Sequence, residues 1–248
     1  MTVPWFEADW PAPQGVRVVS TLRGEAGGGA SQAPYACFNL GAHVGDDPVA
    51  VAENRRRLTV GAALPREPSW LSQVHGATVV DLDSAQAADP ADAAVAREAG
   101  RVCAILTADC LPIVFTTDSG DRVAAAHAGW RGLAAGVIEA TVRAVGVPTG
   151  RLMAWLGPAI GREHFEVGAE VRDALLSGDA QAVEAFARNA RGRFMADLGM
   201  LARRRLETLG VTRIYGGGEC TFAHAERYFS HRRDGITGRQ ATLIWREA

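Results

Sequence analysis

Short apolar runs separated by turn residues are the main pattern along this chain. The densest series lies between Arg101 and Gly132, where runs at 102–106, 111–115 and 123–126 are broken by Ala-Asp-Cys and Ser-Gly-Asp. Continuous apolar runs of this length, bounded by turn residues, are typical of strands buried on both faces. Further runs of the same kind predict strands at 16–21, 70–74, 78–82, 152–156, 211–215 and 242–245.

Segments with helical spacing alternate irregularly with these strands. Asp47 is a suitable N-cap and Pro48 a suitable first helical residue, which predicts a helix to about residue 64. Other helices are predicted at 85–99, 133–145, 167–176, 180–188 and 195–209. The irregular order predicts an α/β (α+β) fold, a single domain over 1–248 in which layered mixed β-sheets are covered by helices.

Composition narrows the function classes. The formal net charge of −2 gives no basic excess that would favour nucleic acid as a partner. No apolar run reaches the roughly 18 residues that a membrane span needs. The first residues contain acidic side chains and prolines, unlike a secretory signal, so we expect a cytoplasmic protein with reduced cysteines.

Three potential metal ligands share one kind of position in this pattern. His75, Cys110 and His127 each lie at one end of an apolar run, and both histidines are close to a glycine. Two imidazoles and one thiolate suit a zinc ion with one open position, which is typical of catalytic zinc. Their spacing matches no standard zinc motif, however, and a structural histidine or a buried apolar cysteine remains an alternative for each residue.

Charged residues near these potential ligands are candidates for proton transfer and for anion binding. Asp109 precedes the candidate ligand Cys110 and is our candidate for proton transfer. Arg131 lies at a predicted helix start, where backbone N–H groups and a guanidinium favour an anion. Arg232, Arg233 and Arg239, with Asp234, form a second polar cluster. The alternative interpretations are an exposed arginine at 131 and an arginine pair that only ties down a loop.

Several motifs, in order along the chain, carry a family resemblance. They are FNLGAHVGDDP with AENRRRL, then WLSQVHG, LTADCLPIVF, AAAHAGWRG and WLGPAIG, and finally ECT followed by RYFSHRRDGITGRQATLIW. The chain resembles the bacterial YfiH or DUF152 family, known as laccase-domain proteins, purine nucleoside phosphorylases and peptidoglycan editing factors. His231 departs from the tyrosine usual in the SYRRDG motif, which leaves the detail of that loop open.

The resemblance implies a CNF1/YfiH-like fold and a zinc ion, with copper possible, held by His75, Cys110 and His127. It implies phosphate-dependent cleavage of adenosine, inosine, guanosine and S-methyl-5′-thioadenosine, together with adenosine deamination. The partners would then be purine nucleosides and phosphate. Cys110 would act at the reacting centre with Asp109 and Arg131. The residues expected to bind substrate are Asn39, Gln73, Arg232 and Arg233.

Other functions remain open at this point. Some relatives are credited with removing mis-incorporated serine from a UDP-muramoyl precursor, which would make the same centre an amidase. A copper-dependent polyphenol oxidase is a further alternative, but six histidines without an HxH pair are too few for a multicopper cluster. A non-enzymatic zinc protein and a cysteine hydrolase using Cys110 and His127 are the remaining possibilities.

Overall fold

Two mixed β-sheets packed face to face form the centre of the fold. A computed structural model describes residues 3–24, 28–84 and 90–247. Its strands, in chain order, are β1 (Trp5–Glu7), β2 (Val16–Thr21), β3 (Ser69–Trp70), β4 (Val79–Asp81), β5 (Ala93–Ala96), β6 (Val102–Thr107), β7 (Leu111–Thr117), β8 (Val123–Ala128), β9 (Leu152–Leu156), β10 (Glu166–Val167), β11 (Phe186–Arg188), β12 (Phe194–Ala196), β13 (Arg213–Gly216) and β14 (Gln240–Arg246).

The strands form three sheets. Sheet I has the order β1-β2-β14-β6-β3, and sheet II has the order β13-β9-β7-β8-β5-β4. Most neighbours are antiparallel, while β3 with β6, β4 with β5, and β9 with β13 are parallel pairs. A small antiparallel sheet III has the order β10-β12-β11.

Helices cover the outer faces of both large sheets. They are α1 (Pro48–Gly61), α2 (Trp130–Ala135), α3 (Val137–Val145), α4 (Ala169–Leu176), α5 (Leu198–Thr208) and α6 (His231–Asp234), with 3-10 turns at Thr149–Arg151 and Ala180–Ala185. Leu58 of α1 packs on the outer face of sheet I, beside Leu243 of β14. Leu201 and Val142, from α5 and α3, belong to the core on the outer face of sheet II.

Side-chain alternation along each strand builds these layers. In β6, Ile105 faces the core between the two sheets, whereas Ala104 and Leu106 face α1. In β7, Val114 faces sheet I and Phe115 faces the helices. Both faces of these strands are therefore buried, which explains why their sequences are continuously apolar.

The predicted fold class is confirmed, and several element predictions need correction. The segment at 93–96, predicted as part of a surface helix over 85–99, is the buried strand β5; residues 85–89 lie outside the described part of the chain. The predicted helix 133–145 is two helices, because Gly136 between α2 and α3 has a φ of 85°. The predicted helices at 180–188 and 195–209 each include a strand of sheet III.

Among the described helices, none combines the length and apolar character needed to cross a bilayer. The predicted cytoplasmic location and the domain limits 1–248 stay predictions.

Candidate metal centre

His75, Cys110 and His127 meet at one edge of the two large sheets. One donor atom of each lies within 4.8 Å of the donor atoms of the other two. His75 follows β3, Cys110 lies in the turn between β6 and β7, and His127 is in β8. The imidazole rings of the two histidines are 4.7 Å apart between centroids, at an interplanar angle of 65°. Three residues distant in sequence thus form one cluster of metal-binding donors.

Asp92 orients two of these donors. Its carboxylate lies 2.8 Å from Nδ1 of His127, and its backbone C=O accepts a bond of 2.7 Å from the His127 N–H. The same carboxylate accepts bonds from the N–H groups of residues 74, 75 and 76, so it fixes the turn that carries His75. Asp92 is fully buried. A carboxylate on Nδ1 leaves Nε2 of His127 for a metal, as is common for metal-binding histidines.

The electrostatics of the cluster favour a thiolate at Cys110. Burial alone would raise the pKa of this thiol, but the adjacent His127 and His75 lower that pKa to about 6. Burial likewise opposes a charge on His127, yet Cys110 and Asp92 raise its pKa to about 9. The thiolate is the form of cysteine that binds metal ions, so the protein favours this form through its own residues.

Space for the sulfur depends on Gly129. The register of β7 with β8 pairs Leu111 with Ala128, which places Cys110 opposite Gly129. A Cβ at position 129 would lie 2.6 Å from the Cys110 sulfur and 3.6 Å from Cδ2 of His75. The main chain therefore approaches the cluster more closely than any side chain would allow.

The donor set fits zinc. Two imidazole nitrogens and one thiolate sulfur are preferred zinc ligands, and three protein ligands leave one position for water or substrate. Cu(II) also binds imidazole strongly, so copper fits the same donors. The identity of the metal stays a prediction.

Asp109 is adjacent to this cluster but is strongly held by the protein. It has a φ of 92° and is 8% exposed. Its carboxylate accepts bonds of 2.7 Å from the Thr221 hydroxyl and from the backbone N–H of Arg232. The carboxylate thereby joins the turn of Cys110 to the C-terminal loop. Its role in proton transfer stays a prediction.

The three predicted arginines differ in how they are held. Arg131 is exposed and stacks on the ring of Trp130, with 4.5 Å between its Cζ and the ring centroid. Arg232 donates to the backbone oxygen of Glu166 at 2.9 Å. Arg233 donates to three backbone oxygens of the 221–228 loop and pairs with Asp234. Their predicted functional roles remain untested.

Asn39 and Gln73 both bind the main chain around the cluster. The Asn39 side chain, fully buried, accepts bonds of 2.9 Å from the Gly41 N–H and 2.8 Å from the Arg239 N–H. Gln73 donates to and accepts from the backbone of Leu106, both at 2.8 Å. These contacts position neighbouring segments, and the predicted binding of substrate by either side chain stays a prediction.

Three residues near the cluster, Asp92, His43 and Arg55, are not among the predicted site residues, and Arg239 is predicted only as a member of the second polar cluster. Asp92 lies in an Ala-rich segment that is predicted as helix. The only signal for His43 and Arg55 is their place inside the shared motifs quoted above.

Comparisons with known proteins identify the family of this chain. Residues 18–247 match the family described as multi-copper polyphenol oxidoreductase laccase. The chain is 57% identical over 242 residues to a Pseudomonas aeruginosa protein named purine nucleoside phosphorylase, covering 97% of this chain and 98% of that protein. It is 49% identical over 237 residues to the Escherichia coli K12 protein named purine nucleoside phosphorylase YfiH, with coverage of 95% and 96%.

Solved structures share the same fold. A Neisseria meningitidis protein assigned to DUF152 is 46% identical and superposes with a TM-score of 0.93, over 98% of this chain and 99% of that one. A Bacillus licheniformis protein titled YfiH is 27% identical and superposes with a TM-score of 0.85, over 94% and 93%. The chain therefore belongs to the YfiH (DUF152) family of laccase-domain proteins.

Proposed function

We propose that this protein is a metal-dependent purine nucleoside phosphorylase that also deaminates adenosine. The cluster of His75, Cys110 and His127, with its three donor atoms, is the observation that carries the proposal. The activity is taken from relatives that carry this name and cover nearly the whole chain. Adenosine, inosine, guanosine and S-methyl-5′-thioadenosine are the proposed substrates, and zinc is the proposed metal.

A bound zinc or copper ion would supply a Lewis acid that polarises a substrate or water atom. The remaining steps fall to side chains of the protein. Phosphorolysis forms a bond between a phosphate oxygen and ribose C1′ and breaks the bond from C1′ to the purine nitrogen, and the departing base needs a proton. Asp109 is the proposed proton carrier, because it lies next to Cys110 at the cluster and is nearly buried.

Asp92 is proposed to act through the donors rather than on the substrate. It accepts from the backbone at His75 and bonds to His127, so both imidazoles keep their orientation during turnover. Deamination would use the same donors, with water adding at C6 of adenine and ammonia leaving. Both reactions are therefore proposed to need the same cluster.

The decisive assay measures phosphate-dependent release of hypoxanthine from inosine by the purified protein, before and after chelation. Inosine has no 6-amino group, so deamination cannot contribute to the signal. Cys110→Ala is expected to abolish base release, adenosine deamination and metal binding. Cys103→Ala is the matched control, because Cys103 is buried in the core between the sheets and contributes no donor to the cluster.

Two results would contradict this proposal. Deamination that survives in Cys110→Ala would show that the two reactions do not share the cluster. Absence of base release by metal-loaded protein would reject the phosphorylase. Release of free serine from a UDP-muramoyl substrate would then identify the amidase alternative, and metal-dependent oxidation of a polyphenol would identify the copper oxidase.

A further inference from the structure

Several chain segments meet where β6 ends, beside the candidate metal ligands. Gln240 of β14 pairs with Thr107 of β6, so Arg239 lies next to the turn that carries Cys110. On the other side of β6, Gln73 is bonded to the backbone of Leu106. Arg239 and the segment leading to His75 therefore flank the same strand end.

The segment 39–43 is attached to this strand end through Arg239. The N–H of Leu40 donates to the Arg239 carbonyl at 3.1 Å, and the N–H of Arg239 donates to Asn39 at 2.8 Å. The contact is close, since a Cβ on Gly41 would lie 2.8 Å from Cγ of Arg239. These bonds bring His43, two residues further on, toward the metal-binding donors.

A cavity of about 430 Å³ opens beside these segments, and its lining includes His43, Arg55, Trp70 and Gln73. Arg239 lies outside this lining and is connected to it through its backbone bonds to Asn39 and Leu40. Arg55 is held in place at the edge of the cavity. Its guanidinium donates two bonds, of 3.0 and 2.8 Å, to the Leu40 carbonyl and lies 4.2 Å from the Trp70 ring centroid. The guanidinium is thus preorganised rather than free to turn into solvent.

Within the described part of the chain, neither guanidinium here forms a direct ion pair, although Glu67 favours the charge on Arg55 and Asp109 favours the charge on Arg239. The hydrogen bonds of both guanidinium groups go to backbone oxygens. Asp46, near Asn39, bonds instead to Ser31 and to Asn39. Half-buried guanidinium charges are costly without a counter-charge, so this region favours an anion.

The charges of these groups and of the metal-binding cluster influence one another. Burial lowers the pKa of Arg239, whereas the nearby Cys110 and Asp109 raise it. Burial, Arg239 and Arg55 lower the pKa of His43, with smaller contributions from His127 and His75. A lowered pKa favours the neutral imidazole of His43, which can donate one hydrogen bond to an oxyanion.

We propose that Arg55, Arg239 and His43 form the subsite for inorganic phosphate, adjacent to the metal centre. This inference rests on the proposed phosphorylase function and identifies where phosphate, the second substrate of that reaction, would bind. Two anchored guanidinium groups and an imidazole N–H match the several acceptor oxygens of phosphate. Arg131 and Arg232, by contrast, are exposed, whereas Arg55 and Arg239 are half-buried.

Titration calorimetry of inorganic phosphate into the metal-loaded protein, without nucleoside, tests the subsite directly. Arg55→Gln and Arg239→Gln are each expected to weaken phosphate binding roughly tenfold or more, since each removes a charged, multiply bonding donor. Arg56→Gln is the matched control, because Arg56 is the next residue on α1 but is exposed and paired with Glu53. This control is expected to bind phosphate like the unaltered protein.

The lysine variants Arg55→Lys and Arg239→Lys test whether a loss of phosphate binding in the glutamine variants comes from misfolding. They keep the charge, so partial recovery of phosphate binding is expected, with metal content and thermal unfolding measured in parallel. Unchanged phosphate binding in both glutamine variants overturns the proposal. So does a loss confined to Arg131→Gln or Arg232→Gln, or the absence of phosphate binding by folded, metal-loaded protein.

Failure of the subsite and failure of the function give different results. Phosphate binding that depends on Arg55 and Arg239, without base release from inosine, keeps the subsite and rejects the phosphorylase. Base release whose KM for phosphate is unchanged in both glutamine variants keeps the phosphorylase and rejects the subsite. The KM for inosine, measured alongside, separates loss of phosphate binding from general damage to the centre.

Discussion

At the scale of single residues, the candidate centre depends on residues that donate no ligand atom as well as on its three potential ligands. The two histidines and the cysteine are recognisable as ligands from their chemistry. Gly129 contributes only the absence of a side chain, which lets the backbone pass the Cys110 sulfur. Asp92 contributes no donor to the cluster, yet it is bonded to His127 and to the turn of His75.

Gly129→Ala is expected to lower metal affinity at least tenfold without unfolding the protein. The new Cβ would lie 2.6 Å from the Cys110 sulfur, so the sulfur must move and the donor geometry must change. Metal affinity can be measured by competition with a chromophoric chelator.

Gly150→Ala is the control for this substitution, because a Cβ there meets no atom within 4 Å. It is expected to bind metal as the unaltered chain does. Equal affinities for the two alanine variants would show that the close approach at Gly129 has no bearing on the centre.

At the scale of elements, α1 connects the core to the candidate phosphate subsite. Leu58 on its inner face packs on sheet I, and Asn54 donates to the Asn39 carbonyl at 2.9 Å. Arg55, the next residue, reaches the Leu40 carbonyl. The same helix therefore supports the fold and positions a guanidinium.

Loss of the N-cap of α1 is expected to destabilise the protein by about 1 kcal/mol. The Asp47 side chain accepts a bond of 2.9 Å from the N–H of Val49, and Asp47→Ala leaves that donor without its partner. The free energy of unfolding can be measured with urea.

Asp47→Asn provides the comparison, because its amide oxygen still accepts the same bond. This variant is expected to stay within a few tenths of a kcal/mol of the unaltered protein. An alanine variant as stable as the asparagine variant would contradict a capping role for Asp47.

How far the elements could be predicted depended on their surroundings. The strands β6, β7 and β9 are buried on both faces, so their apolar runs were distinct and their positions were predicted closely. The strands of sheet III are only two or three residues long and adjoin helical segments. Such short strands show no alternation of apolar and polar residues that would distinguish them from the neighbouring helices. The strand β5 consists mainly of alanine, a residue with a high helix propensity. Its sequence therefore predicted a helix instead of a buried strand.

The candidate site was predictable to the same limited degree. Chemistry identified the three candidate metal ligands, although only the family motifs made their combination specific. Asp92 and Arg239 reach the centre through strand register and backbone bonds between distant segments. No local pattern in the sequence reports such contacts, so Asp92 was missed and Arg239 was placed in a polar cluster with no link to the candidate metal ligands.

At the scale of the whole molecule, the metal centre joins the two large sheets. His75 follows a strand of sheet I, His127 lies in sheet II, and Cys110 is in the turn that passes from one sheet to the other. A metal ion bound to all three would link both sheets in the folded state. The unfolded chain holds these donors far apart and has no such site.

Removal of the metal is therefore expected to lower the thermal unfolding midpoint. At a free metal concentration of a hundred times Kd, binding adds about 2.7 kcal/mol to stability. For a chain of this size that corresponds to a shift of roughly 5–10 °C. Differential scanning calorimetry with and without a chelator gives the value.

Cys110→Ala serves as the reference for this experiment, since it lacks one of the three donors. Its midpoint is expected to respond little to chelation. A chelation shift of equal size in this variant would place the stabilising metal elsewhere in the molecule.

The position of β14 has a consequence for how the protein is made. This strand lies in the middle of sheet I, paired on one side with β2 and on the other with β6. It leaves the ribosome after every other strand of the sheet. A nascent chain can therefore complete sheet II first, while β2 and β6 wait without the neighbour that joins them. Because Arg239 and the end of β6 are aligned only when β14 inserts, we expect the candidate centre to be complete only after this strand has joined the sheet.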